Sequence, residues 1–498
     1  MMSKSLTLPA KPRQFGHFIN GSIVPVGNRD TLIRTSPAHD RPVTIMPVCT
    51  PTDLDAAVMS ARVAFEDRRW SGLGGAERAG ILLRAATILR RRVNDIAYWE
   101  VLENGKPISQ ARAEIQGCIG MLEYASGLAR SLHGDAFNNL GDAMLGLVTR
   151  EPVGVVGIIT PWNFPFLILC ERVPYILASG NCIVAKPSEF TSATSLLLAE
   201  ILTEAGLPDG VFNVVTGTGD TIGRAMSTHM DIDMLSFTGS TAVGRQIVQA
   251  AGQSNFKKLS LELGGKNPQI VFADAALGDA ADGVAFGIGF NAGQCCISGS
   301  RLIVERSVAK KFGQMVANKL MKAVIGDPLN DSTQIGAITT DSQYQAIMHY
   351  IETGQSEGAH LVCGGDVPRQ SRGRYINPTV FTDVTPEMTI MREEIFGPVL
   401  SVIPFETIEE AIAIANATDY GLAASVWTQS LDTALQVTRR VRAGRFWVNT
   451  TLAGGPEMPI GGFKQSGWGR EAGIYGVEEY TQIKSVHIEI GQRTHWIS

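Results

Sequence analysis

Apolar positions in the first third of the chain recur at helical spacing. Leu54, Val58, Ala61 and Phe65 fall near one face of a helix that Thr52 can cap, and a second helical stretch runs from about Glu77 towards Trp99 until Asn104-Gly105-Lys106-Pro107 stops it. From Val153 the pattern changes. Short apolar runs (Val153 to Ile159, Cys182 to Ala185, Phe212 to Val215, Met234 to Phe237) alternate with helix-compatible stretches near 166–179, 192–205, 219–228 and 241–251. That alternation predicts a parallel sheet with crossover helices, a Rossmann-like arrangement. After Gly264-Gly265 a second α/β set begins, with runs at Gln269 to Phe272, Arg301 to Val304, Val399 to Pro404 and Phe446 to Val448, and helices near 307–323 and 408–416. Thr481 to Ile490 reads as an edge or intersubunit strand through Ile483, Val486, Ile488 and Ile490.

Pro152 to Cys170 carries no formal charge over a membrane-sized length, but Pro152, Pro161 and Pro165 would break a spanning helix repeatedly, and Thr160 and Asn163 put polar groups mid-span. A buried strand followed by a turn is expected there instead. The N-terminal stretch has no continuous apolar segment of the secretory kind. With 498 residues, about 150 per domain leads one to expect some three domains and a large core. Lys+Arg 43 against Asp+Glu 48 gives a net charge of −5, which supplies no overall cationic footprint for a nucleic acid. The seven cysteines are scattered without C-x-x-C spacing, as in a reducing compartment, so a cytoplasmic location is expected.

Several short motifs are chemically suggestive, and each alone has an ordinary structural reading beside the functional one. The pair Cys295-Cys296 in GQCC is two small buried hydrophobes or a nucleophile and its neighbour. Asn163, in TPWNFP at the C-terminal end of a strand, is a turn asparagine or an oxyanion donor. Glu262, at a strand end before Leu263-Gly264-Gly265-Lys266, is a solvated acid or a general base. Gly239-Ser240-Thr241-Ala242-Val243-Gly244 follows a strand and opens a helix, presenting free N–H groups to an anion, although its spacing departs from G-x-G-x-x-G. Gly217-Thr218-Gly219 is a second such turn. Lys186-Pro187-Ser188-Glu189 closes another strand with a cation and with an acid suited to ribose hydroxyls and unsuited to a 2′-phosphate. None of the eight histidines falls in these motifs, and no metal ligand set is expected.

Taken together and in this order, TPWNFP, KPSE, GSTAVG, ELGGK, GQCC, EEIFGPV and GGFKQSGWGRE resemble the NAD(P)-dependent aldehyde dehydrogenase superfamily over nearly the whole chain. The resemblance implies an α/β fold: a Rossmann-like cofactor domain over 1–129 and 151–261, an α/β catalytic domain over 262–465, and a β-arm for oligomerisation over 130–150 and 480–498. It implies Cys296 as nucleophile, Asn163 with the Cys296 backbone N–H as oxyanion hole, and Glu262 as the base for deacylation. NAD, or NADP, would be held by Ile159, Thr160, Pro161, Trp162, Lys186, Ser188, Glu189, Gly219, Gly239, Ser240, Val243, Leu263, Glu394 and Phe396. The aldehyde pocket would be lined by Phe164, Ile168, Glu171, Phe290, Cys295, Ile297, Leu452 and Ile460. The implied partners are a small aldehyde and further copies of the chain, as a homodimer or homotetramer, with neither nucleic acid nor membrane.

Where many relatives resemble a tryptophan-lysine pair, Glu171 and Arg172 stand here. One wall of an aromatic box is therefore missing, and Arg172 stays protonated, which places a proton relay through Arg172 and Glu471 in question. The expected reaction is oxidation of an aldehyde, an amino-aldehyde or semialdehyde among the candidates, through a thiohemiacetal and a thioester hydrolysed by water. The alternatives are transfer of the acyl group to CoA, against which Glu262 argues, and a cysteine hydrolase or acyl-transferase.

Overall fold

The computed structural model describes residues 6–369, 372–492 and 496–497. Residues 1–5 and 370–371, and residues 493–495 and 498 of the expected arm, lie outside the described residues.

The apolar runs after Val153 become the centre of an eight-stranded sheet. Its spatial order is Gly467–Trp468, Lys258–Glu262, Met234–Thr238, Val155–Ile159, Cys182–Lys186, Phe212–Val214, His17–Ile19, Ser22–Val24. The five inner strands are parallel, and the three outer ones join antiparallel. Val155–Ile159, Cys182–Lys186 and Met234–Thr238 are buried at every position, which is why they read as continuous apolar runs rather than alternating ones. Strand order reverses around Val155–Ile159, whose sequence successor Cys182–Lys186 lies on one side and the later strand Met234–Thr238 on the other. Loops after these strands therefore leave the sheet at a switch point, where open α/β sheets bind ligands.

The first third is less helical than its periodicity suggests. Five short strands precede the first helix, and Arg13–Gln14, Pro42–Pro47 and Thr31–Thr35 form a small sheet of their own. The helix Pro51–Glu66 is capped by Thr50 and not Thr52: the Thr50 hydroxyl accepts from the Asp53 N–H while the Asp53 carboxylate accepts from the Thr50 N–H. Proline at the first helical position favours this start, since its missing N–H is one that a helix leaves unpaired anyway. The helices Gly75–Asn104 and Ile108–Ser131 pack on one another and on the core of the first sheet.

The second sheet has seven strands in the order His360–Cys363, Thr379–Thr382, Val399–Phe405, Arg301–Glu305, Pro268–Val271, Ala423–Trp427, Arg445–Val448. All its pairings are parallel except the outermost, His360–Cys363 with Thr379–Thr382. Two separate apolar clusters serve it, one holding Ile270, Ile303 and Ile403 and the other Val271, Leu302 and Val402, as expected when alternate side chains of one strand face opposite layers. A third sheet joins Asp135–Phe137, Met144–Pro152 and Thr481–Glu489, with register from Thr481 opposite Pro152 to Glu489 opposite Met144. Val486 is half-buried in it, whereas Ile483, Ile488 and Ile490 are exposed.

Candidate active site

Two loops bring the candidate chemistry together. The first leaves Val155–Ile159 and runs Thr160 to Phe164 into the short helix Pro165–Cys170. The second follows the helix Leu277–Gly289, where Asn291, Ala292 and Gly293 all take left-handed backbone (φ 48°, 52° and 71°) before Gln294-Cys295-Cys296. Such a run is costly for non-glycine residues, so its neighbours must fix it. They do so with amides. Asn291 donates to the carbonyl oxygens of Asn163 (2.9 Å) and Gln294 (3.2 Å), and Gln294 accepts from the Thr339 N–H at 2.9 Å while donating to the Asn291 carbonyl. On the far side, Asn267 Nδ2 donates to the carbonyls of Cys296 and Ser298, both at 2.8 Å. Gly265 lies so close that a Cβ there would stand 2.4 Å from the Cys296 carbonyl oxygen, which explains the second glycine of ELGGK.

In this frame Asn163 is buried, its Nδ2 donates to the Gln294 carbonyl at 3.1 Å, and an amide nitrogen has a second hydrogen to give. Cys296 is half-buried and Cys295 buried, so the second sulfur of the pair is the more accessible. A hydrogen bond with Cys295, then burial and the charge of Glu262, hold the Cys296 thiol protonated well above its ordinary range. Glu262 ends the strand Lys258–Glu262. Its Oε1 is buried with no hydrogen-bond partner among the described residues. Burial raises its proton affinity to about 8 against the pull of Arg172, with Glu471 and Glu171 adding to the rise.

Arg172 is buried and fully engaged. Nε donates to Ser236 Oγ (2.8 Å), Nη1 to the Ile168 carbonyl (2.9 Å) and Nη2 to Thr238 Oγ1 (2.6 Å). Ser236 and Ser260 both donate to Glu471 Oε1, and Tyr480 donates to its Oε2. Arg172 and Glu471 are thus two ends of one fixed buried network, 3.5 Å apart. Glu171 lies 3.8 Å from Arg172 with its side chain only 15% exposed.

Phe164, Ile168 and Cys295 form a small apolar cluster of their own, with Phe290 and Ile297 packed against it. Phe164 and Phe290 stack with centroids 5.8 Å apart. Ile460 packs on the first, larger core and is bridged to Glu471, and Leu452 is half-buried on left-handed backbone.

The expected cofactor residues surround the switch-point loops. Ile159 and Thr160 are buried, while Pro161 and Trp162 are half-buried, and Trp162 meets Phe396 edge-on at 5.4 Å. Lys186 Nζ donates to the carbonyls of Pro187 and Gly217, with Glu189 at 3.8 Å. Ser188 is buried beside them and Gly219 is exposed at the following turn. Exposed Ser240 caps the helix Thr241–Gly252, its hydroxyl accepting from the Val243 N–H, while Gly239 donates to the Glu262 carbonyl. Leu263 fills the space beside Gly244. Glu394 accepts from the Gly265 N–H at 3.0 Å, and burial raises its proton affinity to about 7.

The sequence profile of the aldehyde dehydrogenase family matches residues 25–486. The chain belongs to the aldehyde dehydrogenase family. An aldehyde dehydrogenase of Emericella nidulans is 43% identical over 96% of this chain and 95% of its own. The crystal structure of an NAD-dependent aldehyde dehydrogenase from Sinorhizobium meliloti superposes with a TM-score of 0.96 at 49% identity, covering 97% of this chain and 96% of that one. An indole-3-acetaldehyde dehydrogenase of P. syringae, solved as a mutant in complex with NAD+, gives 0.94 at 42% identity, covering 97% of this chain and 98% of that one. Among the described residues of this aldehyde dehydrogenase, no helix is long and apolar enough to cross a membrane.

Sequence reasoning missed the amides that hold the two loops, Asn267, Asn291 and Gln294. Only Gln294, within GQCC, and Asn267, directly after ELGGK, stood close to a motif that had been singled out.

Proposed function

We propose that the enzyme oxidises an aldehyde to a carboxylate with NAD, in two stages centred on Cys296. The observation that carries this reading is the convergence of three elements: the half-buried Cys296 sulfur, the Asn163 amide bonded to the Gln294 carbonyl two residues before it, and Glu262, whose carboxylate adds to the raised proton affinity of that thiol after the Cys295 hydrogen bond and burial. The Cys296 sulfur passes its proton to water and bonds to the aldehyde carbon, the carbonyl π bond breaks, and the former carbonyl oxygen becomes an oxyanion. Asn163 Nδ2 and the Cys296 N–H donate to it. Losing one such donor typically raises a barrier by about 2.7–4 kcal/mol. NAD, when bound, supplies the hydride acceptor that converts the tetrahedral adduct to a thioester. Glu262 then removes a proton from water, the water oxygen bonds to the acyl carbon, the carbon–sulfur bond breaks, and the carboxylate leaves.

The cradle fits the dinucleotide. A twelve-residue helix presents its N-terminus at exposed Ser240, suited to the pyrophosphate. Lys186 and the partly exposed Glu189 suit the adenosine ribose, with the carboxylate disfavouring a 2′-phosphate, so NAD is preferred over NADP. Glu394 and Phe396 suit the second ribose. For the aldehyde, Phe164, Phe290, Ile168 and Ile297 favour an apolar chain. Burial raises the proton affinity of Glu171 against the pull of Arg172 and Arg445, which weakens it as an anionic selector for an amino-aldehyde. Water is favoured over CoA as acyl acceptor because a thiol needs no buried base.

Segments 1–129 and 151–261 act as the cofactor domain, 262–465 as the catalytic domain, and 130–150 with 480–498 as the arm of an oligomer. Seven free cysteines support a cytoplasmic setting. The test is NADH absorbance with aliphatic, aromatic and ω-amino aldehydes, with NAD or NADP, with and without CoA. Aldehyde-dependent NADH formation without CoA, strongest with NAD and apolar aldehydes, is expected; formation only with CoA overturns the hydrolytic reading.

A further inference from the structure

A buried charge that the mechanism does not use lies against the aldehyde wall. The Lys106 side chain is completely buried, with Nζ 2.8 Å from Glu100 Oε1, 2.5 Å from Glu114 Oε2 and 4.3 Å from the centre of the Phe164 ring. Burial works against its charge, and the two carboxylates more than compensate, so the ammonium is held. Buried ion sets are a weak source of stability, because uncharged residues of the same shape often serve as well or better. What this one supplies is geometry: a desolvated cation against a ring, on an aromatic that also stacks with Phe290.

Two residues earlier, Asn104 ends the helix Gly75–Asn104. Its Nδ2 donates to the Trp162 carbonyl (2.8 Å) and lies within hydrogen-bond reach of the Asn163 carbonyl (3.3 Å) and Thr339 Oγ1 (3.2 Å). Its Oδ1 accepts from the Lys106 N–H at 3.1 Å, and Thr339 Oγ1 donates to its carbonyl at 2.8 Å. Between them Gly105 takes φ +93°, where a Cβ would stand 2.7 Å from Pro37 Cγ. One turn therefore grips three consecutive residues of the switch-point loop: Trp162 and Asn163 by the backbone, and Phe164 by the ring.

We propose that Asn104-Gly105-Lys106 is a positioning turn for the aldehyde, in which Asn104 sets the backbone of the oxyanion donor Asn163 and Lys106 sets the Phe164 ring that orients the acyl chain. This rests on the role given to Asn163 and Cys296 above. The two side chains should then fail differently. Asn104 acts on the reacting oxygen, common to every aldehyde. Lys106 acts on a wall that only larger substrates press.

The experiment measures kcat, KM and the rate of the first NADH burst with acetaldehyde and benzaldehyde. Asn104→Ala is expected to slow the burst about 10- to 100-fold for both aldehydes, with KM for NAD unchanged, the scale on which misplaced catalytic groups lose rate. Lys106→Met combined with Glu100→Gln and Glu114→Gln, which removes all three charges together, is expected to raise the benzaldehyde KM about tenfold while acetaldehyde stays within about twofold. Should either fail to fold, Thr339→Val replaces the first and Lys106→Phe with the same two glutamines replaces the second, and the same split is required. A uniform loss across both aldehydes in the Lys106 variant, or an unchanged burst in the Asn104 variant, overturns the proposal. Cys296→Ala in the same assay separates the two readings: a burst that survives it sinks the nucleophile assignment, whereas an unsplit response with Cys296 still essential sinks the positioning turn alone.

Discussion

At the scale of single residues, the adjacent sulfurs of Cys295 and Cys296 differ in exposure, and that difference predicts their chemistry. Cys296→Ala is expected to abolish NADH formation, while Cys295→Ala keeps much of it, as measured by steady-state rates with purified variants; equal loss in both contradicts the assignment. Glu262 gives a pH prediction. Burial lifts its proton affinity to about 8, so near neutral pH most of it is protonated and unable to accept a proton from water. Steady-state turnover is therefore expected to climb as pH rises through about 8, and Glu262→Gln should keep the first NADH burst while flattening that climb. A wild-type profile that falls over the same interval counts against Glu262 as the base. Arg172 illustrates the opposite use of burial. Three donors are committed to fixed acceptors and the guanidinium does not deprotonate, so the group sets the field around Glu262 and Glu471 without carrying a proton between them.

At the scale of elements, four inner strands of the first sheet were plain in the chain because strands buried on both faces must be apolar throughout, whereas the outer strands His17–Ile19, Ser22–Val24 and Gly467–Trp468 carried no such run. The runs at Val153, Cys182, Phe212 and Met234 all became strands within one or two residues of their expected limits. Thr379–Thr382 and Ala423–Trp427 were not legible: each is too mixed with Thr, Ser and Ala to stand out from its surroundings. The helix Asp341–Ser356 escaped for another reason, since it buries only Ile347, Ile351 and Gly354 and presents polar residues elsewhere. The site divides in the same way. Cys296, Asn163 and Glu262 announce themselves through the turns and strand ends that hold them. Asn104 and Asn291 do not, because their partners are distant in sequence and an amide bonding to a remote carbonyl leaves no local pattern. The capping of Pro51–Glu66 gives the element-scale prediction. Thr50→Ala is expected to cost about 1 kcal/mol of stability with activity retained, read from the midpoint of urea unfolding. No change in the midpoint would show that the Asp53 half of the capping box suffices.

At the scale of the whole molecule, the long pairing between Met144–Pro152 and Thr481–Glu489 leaves Ile483 and Ile488 exposed at 65% and 40%, apolar side chains set on a regular strand. Ending the chain after Tyr480 is expected to lower the assembly size seen by light scattering, and an unchanged mass would remove the arm from the account of assembly. The parentage of the first sheet has a different consequence. Its strand Lys258–Glu262 acquires its outer neighbour only from Gly467–Trp468, with Glu262 opposite Gly467, after the chain has completed the entire second sheet. A ribosome must therefore release nearly the whole polypeptide before the outer neighbour of Glu262 arrives. Until then a nascent chain can build the other seven strands of this sheet, and the edge beside Glu262 stays unpaired.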